Sequence, residues 1–306
     1  MAVNLEVALG RLHLRNPVMV AAGTFGYGLE YRDLVDLQRL GAIVTKSLTL
    51  TPRIGNPPPR VVETPAGMLN AIGLQNDGVD AFVLETLPRL REYETPIIAS
   101  VAGETLEEYV QVAEKLSRAE GVAALELNLS CPNQARGGME FGVSPELTAL
   151  VIAAVRQATD LPLIAKLTPN VGDLVPIAQA AVQAGAEILS LINTVLGVAV
   201  DTKTRQFRLS TIVGGLSGPA IKPIAQYHLW RVCQALPDTP LIGVGGISSA
   251  DDAIEYLLLG AHTVQIGTAN YVQPTLAMEI IDGIQRYLEE NGFESVSKIR
   301  GSVSRE

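Results

Sequence analysis

The chain has 306 residues, 47% hydrophobic and 18% charged, long enough for one large domain or two small ones. A net charge of −9 argues against a nucleic-acid partner, because phosphate binding needs clustered Lys and Arg. Two cysteines, Cys131 and Cys233, are too few for a disulfide framework or for an iron–sulfur cluster, and a reduced, cytoplasmic setting fits them best.

At the N-terminus Val3, Leu5 and Val7, then Leu12 and Leu14, alternate with polar residues around Gly10-Arg11. That is a hairpin pattern rather than a signal peptide or membrane anchor, and no run of about twenty apolar residues follows anywhere. Short apolar runs ending in polar or glycine residues then recur at 17–23, 42–47, 97–102, 123–130, 163–168, 187–194, 241–246 and 263–268. Continuous apolar runs suit parallel strands covered on both faces. Amphipathic helical stretches lie between them at 105–119, 145–158, 173–184, 250–259 and 275–290. Ser144 before Pro145-Glu146, and Ser248 or Ser249 before Asp251-Asp252, are candidate helix caps.

Eight strand–helix units are the count of a TIM (β/α)8 barrel, although a doubly wound sheet can also use eight. The barrel is preferred because nearly every run places its polar residues at its C-terminal end, where barrel active sites sit. No linker or low-complexity tract divides the chain, so residues 1–306 are expected to form one domain. Long insertions at 50–75 and 195–219, with a glycine-containing loop at 131–143, follow the second, sixth and fourth runs. All three belong on one face and should roof one pocket.

Lys46 and Lys166 sit within strand patterns. A lysine at a buried strand end must find an anion or lose its proton, unless it snorkels to the rim. Asn70, Asn128, Asn133 and the pair Asn193-Thr194 offer donors and acceptors suited to a ring with alternating N–H and C=O groups, such as a pyrimidine. A lone asparagine there would more often form a turn. Gly245-Gly246 and Gly267-Thr268 close the seventh and eighth runs, where backbone N–H groups can approach a phosphate. Ser248 stands where a dinucleotide fingerprint needs its third glycine, which favours a mononucleotide over NAD.

Cys131 follows Asn128-Leu129-Ser130 and precedes Pro132, which stops a strand for want of an N–H. Cys233, in Trp230-Arg231-Val232-Cys233, reads as a helix-interior thiol. His13, His228 and His262 fall on the hairpin, a helix and a strand start, so thiol–histidine nucleophilic catalysis lacks its base. A thiol held near a bound C–H can still accept a proton.

Together, Thr45-Lys46-Ser47-Leu48-Thr49, Asn70-Ala71-Ile72-Gly73-Leu74-Gln75-Asn76, Asn128-Leu129-Ser130-Cys131-Pro132-Asn133, Asn193-Thr194, Gly245-Gly246 and Gly267-Thr268 resemble the class 1 dihydroorotate dehydrogenases. The resemblance covers nearly the whole chain and is closest to the catalytic subunit of the NAD-linked 1B branch. It implies an FMN-dependent oxidoreductase that converts (S)-dihydroorotate to orotate in pyrimidine biosynthesis. Cys131 would remove the C5 proton while a hydride passes from C6 to flavin N5. Lys46, Asn70, Ala71, Ile72, Gly73, Leu74, Asn128, Asn193 and Thr194 would hold the substrate. Ala22, Lys46, Ser47, Ser100, Asn128, Lys166, Ile192, Gly218, Gly245, Gly246, Gly267 and Thr268 would line the FMN.

The same resemblance implies a homodimer, and a heterotetramer with a partner subunit carrying FAD and a 2Fe-2S cluster that passes electrons to NAD. No metal is expected on this chain. Two positions depart from the family pattern: Ser100 stands where Asn is common, and Ala22 where Ser is common. A fumarate-linked class 1A enzyme, or a related flavin barrel acting on another dihydropyrimidine, remains open on these residues.

Overall fold

The computed structural model describes residues 3–130, 132–133 and 139–304. Eight parallel strands close into a barrel: β1 (Val18–Val20), β2 (Ala42–Val44), β3 (Ile97–Val101), β4 (Val122–Asn128), β5 (Leu163–Leu167), β6 (Ile188–Leu191), β7 (Leu241–Val244) and β8 (Thr263–Ile266). Sequence neighbours pair throughout, and β8 returns to β1 with Gln265 opposite Met19. Seven of the strands lie inside the apolar runs expected for them and β4 starts one residue ahead of its run, at Val122, which makes the fold a TIM barrel.

The helices that cover the strands begin where local chemistry allows. Helix α1 (Leu106–Ser117) starts at Thr105, whose hydroxyl accepts the Glu108 N–H, and it buries Tyr109, Val112, Ala113 and Leu116. Helix α2 (Pro145–Ala158) is capped by Ser144, with proline in the first turn where no N–H is needed. Helices α3 (Val175–Gln183) and α4 (Lys222–Ala235) follow β5 and β6. Helix α5 (Ala250–Leu258) is capped by Ser249, and α6 (Leu276–Glu290) closes the outer ring.

The helical stretch 78–90 after β2 has no counterpart among the expected elements. It runs through a π-helical segment, Phe82–Thr86, directly before Leu87-Pro88. Pro88 has no N–H for the i−4 carbonyl, so the ladder loosens there and the 3.6-residue pattern is blurred.

Alternation along the strands sorts the core into two parts. Val18, Val20, Leu125, Leu127, Leu189 and Val264 pack in the large core that includes the helices. Met19, Ala42, Val44, Ile98, Ala124, Ile164, Ile188 and Ile242 form a second cluster with Leu9, Leu12 and Leu14 of the N-terminal hairpin. The hairpin strands Val7–Leu9 and Leu12–Leu14 pair as expected. Burying each of those three leucines contributes about 1.5–3 kcal/mol relative to exposure. At the hairpin turn Arg11 meets Glu187 at 2.7 Å and donates to the Asp160 carbonyl, both close to strand starts. The hairpin therefore closes the N-terminal end and leaves the C-terminal end open.

The insertions after β2 and β6 meet over that open end. Strands Val195–Val198, Val213–Ser217, Gly67–Asn70 and Val61–Thr64 form one antiparallel sheet in that order, over a small core of Val62, Leu69 and Leu209. Among the described residues no helix is long and apolar enough to cross a membrane.

Candidate active site

Polar side chains at four of the strand ends join into a hydrogen-bonded chain. Asn128, the last residue of β4, accepts at Oδ1 from Asn193 Nδ2 (3.1 Å) and faces Ser47 Oγ with its own Nδ2 (3.4 Å). Asn193 also donates to Ser130 Oγ at 2.9 Å and accepts the Thr194 N–H at 2.8 Å. Ser47 and Ser100 share a hydroxyl contact of 3.0 Å, and the Ser100 N–H donates to Thr45 Oγ1 at 3.2 Å. Four strand ends, those of β2, β3, β4 and β6, are tied together this way. Ser100 is fully buried, so it backs Ser47.

Two lysines stand in the same region. Lys46 lies two residues past β2, with its N–H on the Gly26 carbonyl (2.9 Å) and its ammonium 5.5 Å from the Tyr27 ring centroid. Lys166 is 6% exposed on β5, level with Asn128 on β4 and Ser190 on β6. Its Nζ lies 3.6 Å from Glu126 Oε1. Among the described residues neither ammonium donates a hydrogen bond, and Lys46 has no carboxylate partner. Both keep donor capacity that the described residues do not use.

The turn after β7 is shaped for close approach. Gly245 and Gly246 have φ of +129° and +70°, and a Cβ on Gly246 would lie 2.7 Å from Lys222 Cβ at the start of α4. Tyr256 donates its hydroxyl to the Gly245 carbonyl at 2.6 Å. Asp252 receives the Ser248 N–H and hydroxyl, each at 2.8 Å, and Lys222 Nζ. Burial pushes the Asp252 carboxyl up, but Lys222 and Ser248 outweigh it and hold it below the ordinary value. Gly267 has open space on its Cα side, since an added Cβ would find Ala21 Cβ at 3.8 Å as its nearest atom. Thr268 donates to Ser217 Oγ at 2.7 Å, and Gly218 (φ +95°) packs on Gly67. Glycines at the ends of β7 and β8 are able to expose backbone there, and exposed backbone N–H groups are the chemistry that an anion takes up.

The segment 70–74 enters from the roof. Asn70 Nδ2 faces the Gly215 carbonyl at 3.4 Å, and an added Cβ on Gly215 would strike Thr194, so Asn70 and Thr194 border one site. Asn56 pins the carbonyls of Ala71 and Ile72 at 2.9 Å each, and Gly73 and Leu74 turn the chain with φ of +77° and +57°. Ile192 is buried and donates its N–H to the Val244 carbonyl at 3.0 Å, and Ala22 packs on the interior cluster.

Cys131 lies outside the described residues, as does the Gly137-Gly138 pair of its loop. Its chain neighbour Ser130 is held by Asn193. The residues that sequence reasoning missed are Glu126, Gln265 and Tyr109, the last donating its hydroxyl to the Asn128 carbonyl. A glutamate inside the run Ala123-Ala124-Leu125-Glu126-Leu127 was the available signal, because a charge buried in a strand needs a partner.

The family model described as dihydroorotate dehydrogenase matches residues 4–288. The chain is 54% identical over 300 residues to a protein of Geotalea daltonii named dihydroorotate dehydrogenase B (NAD(+)), catalytic subunit, covering 98% of each. Proteins with the same name from Pelobacter propionicus (53% over 303 residues, 99% of each) and Desulforudis audaxviator (50% over 305 residues, 100% of this chain and 99% of that one) are similar over the same extent. The chain belongs to the dihydroorotate dehydrogenase family.

Proposed function

We infer that this chain is the catalytic subunit of an NAD-linked dihydroorotate dehydrogenase, oxidising (S)-dihydroorotate to orotate with FMN in the barrel mouth. The observation that carries this reading is the pair of ammonium groups, Lys46 and Lys166, held at one barrel end without hydrogen-bonded acceptors among the described residues. They fit an anionic substrate and a ring that gains charge on reduction. The glycine turns after β7 and β8 fit the phosphate of the same cofactor.

When bound, FMN supplies the acceptor for the hydride leaving C6 of the substrate. The chain's own residues do the rest. Lys46, Asn128, Asn193 and Thr194, with the 70–74 segment, orient a flat ring bearing a carboxylate, and Cys131 accepts the C5 proton. Lys166 holds positive charge beside the cofactor, preorganised by β5. Ala22, Ser47, Ser100, Ile192 and Gly218 line the cofactor side, with Ser47 oriented by Ser100. Gly245, Gly246, Gly267 and Thr268 receive the phosphate.

The printed names of the relatives call them catalytic subunits, which supports a partner subunit here, with FAD and a 2Fe-2S cluster on that partner. Half-exposed Leu196, Val198, Val200 and Phe207 on the roof support self-association into a homodimer. A cytoplasmic setting and a single domain over residues 1–306 follow from the same reading.

The deciding experiment is anaerobic mixing of the FMN-loaded protein with dihydroorotate or dihydrouracil. Dihydroorotate is expected to bleach the flavin and dihydrouracil to leave it yellow. Bleaching by neither would refute the reading, and reoxidation by fumarate without a partner subunit would refute the NAD-linked branch.

A further inference from the structure

Beneath the hydrogen-bonded chain of strand-end side chains, the barrel interior holds a carboxylate that the proposed reaction does not use. Glu126 is fully buried on β4, two residues below Asn128. Its Oε2 accepts from Gln265 Nε2 at 2.7 Å. Gln265 comes from β8, four strands away in the closed ring of eight, so the two side chains span the barrel axis. The other oxygen, Oε1, lies 3.6 Å from Lys166 Nζ and has no hydrogen-bond partner among the described residues. Ser190 Oγ and Gln265 Oε1, also buried, are likewise without partners.

A buried ion pair of this kind is a poor stabiliser, because desolvating both charges opposes their attraction. A glutamine or an aliphatic side chain would fill the same space without that cost. What the carboxylate alone adds is negative charge against Lys166 Nζ, held at a set distance by Gln265.

We propose that Glu126 is a positioning residue for Lys166, and that the pair sets the reduction potential of the bound flavin. The proposal rests on the reading that Lys166 faces the cofactor. Oxidation of the substrate removes a proton from C5 and a hydride from C6, so two electrons and added negative charge arrive on the ring. A bare ammonium would favour that charge and raise the potential. Glu126 offsets part of the lysine's field and fixes its position, keeping the potential low enough for electrons to move on to a weak oxidant such as NAD.

The test is a dye-equilibrated anaerobic redox titration of the FMN-loaded protein and its variants. Glu126→Gln is expected to shift the two-electron equilibrium toward the reduced form by about tenfold, which is about 30 mV upward. Equivalently, the ratio of affinities for reduced and oxidised FMN rises by the same factor. A merely structural role would weaken both affinities alike and leave the potential unmoved. Glu126→Asp, which withdraws the carboxylate by one methylene, is expected to give a smaller rise and carries the test if Glu126→Gln does not fold. In a Lys166→Met background the added Glu126→Gln change is expected to shift the potential by clearly less, because the part that acts through the lysine's position is gone. A shift of less than twofold in Glu126→Gln or in Glu126→Asp, or an undiminished shift without Lys166, overturns the proposal. If Lys166→Met itself leaves the potential unchanged, or no flavin is taken up, the cofactor reading fails and this proposal with it.

Discussion

Asn193 and Asn128 meet amide to amide at the barrel mouth, Nδ2 of Asn193 donating to Oδ1 of Asn128 over 3.1 Å. The second Asn193 N–H goes to Ser130, and its oxygen takes the Thr194 N–H. One side chain just past β6 therefore orients both the last residue of β4 and the residue that precedes Cys131. Asn128 is left with its NH2 group toward Ser47.

Asn193→Ala should then disturb substrate handling more than cofactor uptake. It strips a donor from Asn128 and from Ser130, and a lost partner of this kind costs about 1–3 kcal/mol. The expected result is a fall in kcat/KM for dihydroorotate of about 10–100-fold with FMN content unchanged. Steady-state kinetics beside a flavin absorbance measurement separate the two effects. A variant with wild-type kcat/KM would show that the amide contact has no part in catalysis.

Gly246→Ala tests the phosphate cradle. The new methyl would lie 2.7 Å from Lys222 Cβ and 2.8 Å from its backbone nitrogen, at a φ of +70° that a side chain rarely adopts. Helix α4 cannot yield without moving its first turn, so the β7 turn must shift instead. Strain of this kind costs about 1–3 kcal/mol. Weaker FMN binding by roughly 10–100-fold is expected, readable by fluorescence titration of the apoprotein, with little change in the affinity for orotate once FMN saturates.

The barrel was legible because its chemistry is local. Each strand is a continuous apolar run, and residues such as Asn128, Asn193 and Gly245 mark where the run meets the pocket. The Gly10-Arg11 turn and the Ser144 cap were equally local. What escaped depends on partners far along the chain. The roof sheet brings Asn70 to Gly215, 145 residues away, and Glu126 finds Gln265 after 139. No window of sequence contains either pair. The 78–90 helix was hidden by its glycine start and by Pro88, which break the pattern that would have marked it.

A pH dependence of stability follows from His262, which joins the starts of β7 and β8. Its Nδ1 accepts the Leu241 N–H at 3.2 Å, which requires the neutral ring. Burial, with Arg300 nearby, lowers the imidazole from 6.5 to about 4. The folded value lies below the unfolded one, so the stabilisation is complete above pH 6.5 and is lost as pH falls toward 4. The full effect is on the order of 2–3 kcal/mol. His228, also lowered by burial, acts in the same direction. The melting temperature should drop by several degrees between pH 7 and pH 5, in about the range such an energy implies. His262→Gln should flatten that slope, and an equally steep slope in the variant would assign the effect elsewhere.

Cys131→Ser is the sharpest test of the proposed chemistry. A hydroxyl is a far weaker acid than a thiol, so at neutral pH serine has almost none of its conjugate base available to take the C5 proton. The hydride cannot leave C6 productively while that proton stays. The lysines, the amides and the glycine turns keep their identities in this variant, so FMN and orotate should still bind. Flavin reduction by dihydroorotate should slow by orders of magnitude at pH 7 and recover as pH rises, because more of the weak base is formed. Stopped-flow absorbance over a pH series measures both effects. Wild-type reduction rates at neutral pH would remove Cys131 from the reaction, and a slow rate indifferent to pH would leave it a place in the loop but not the role of base.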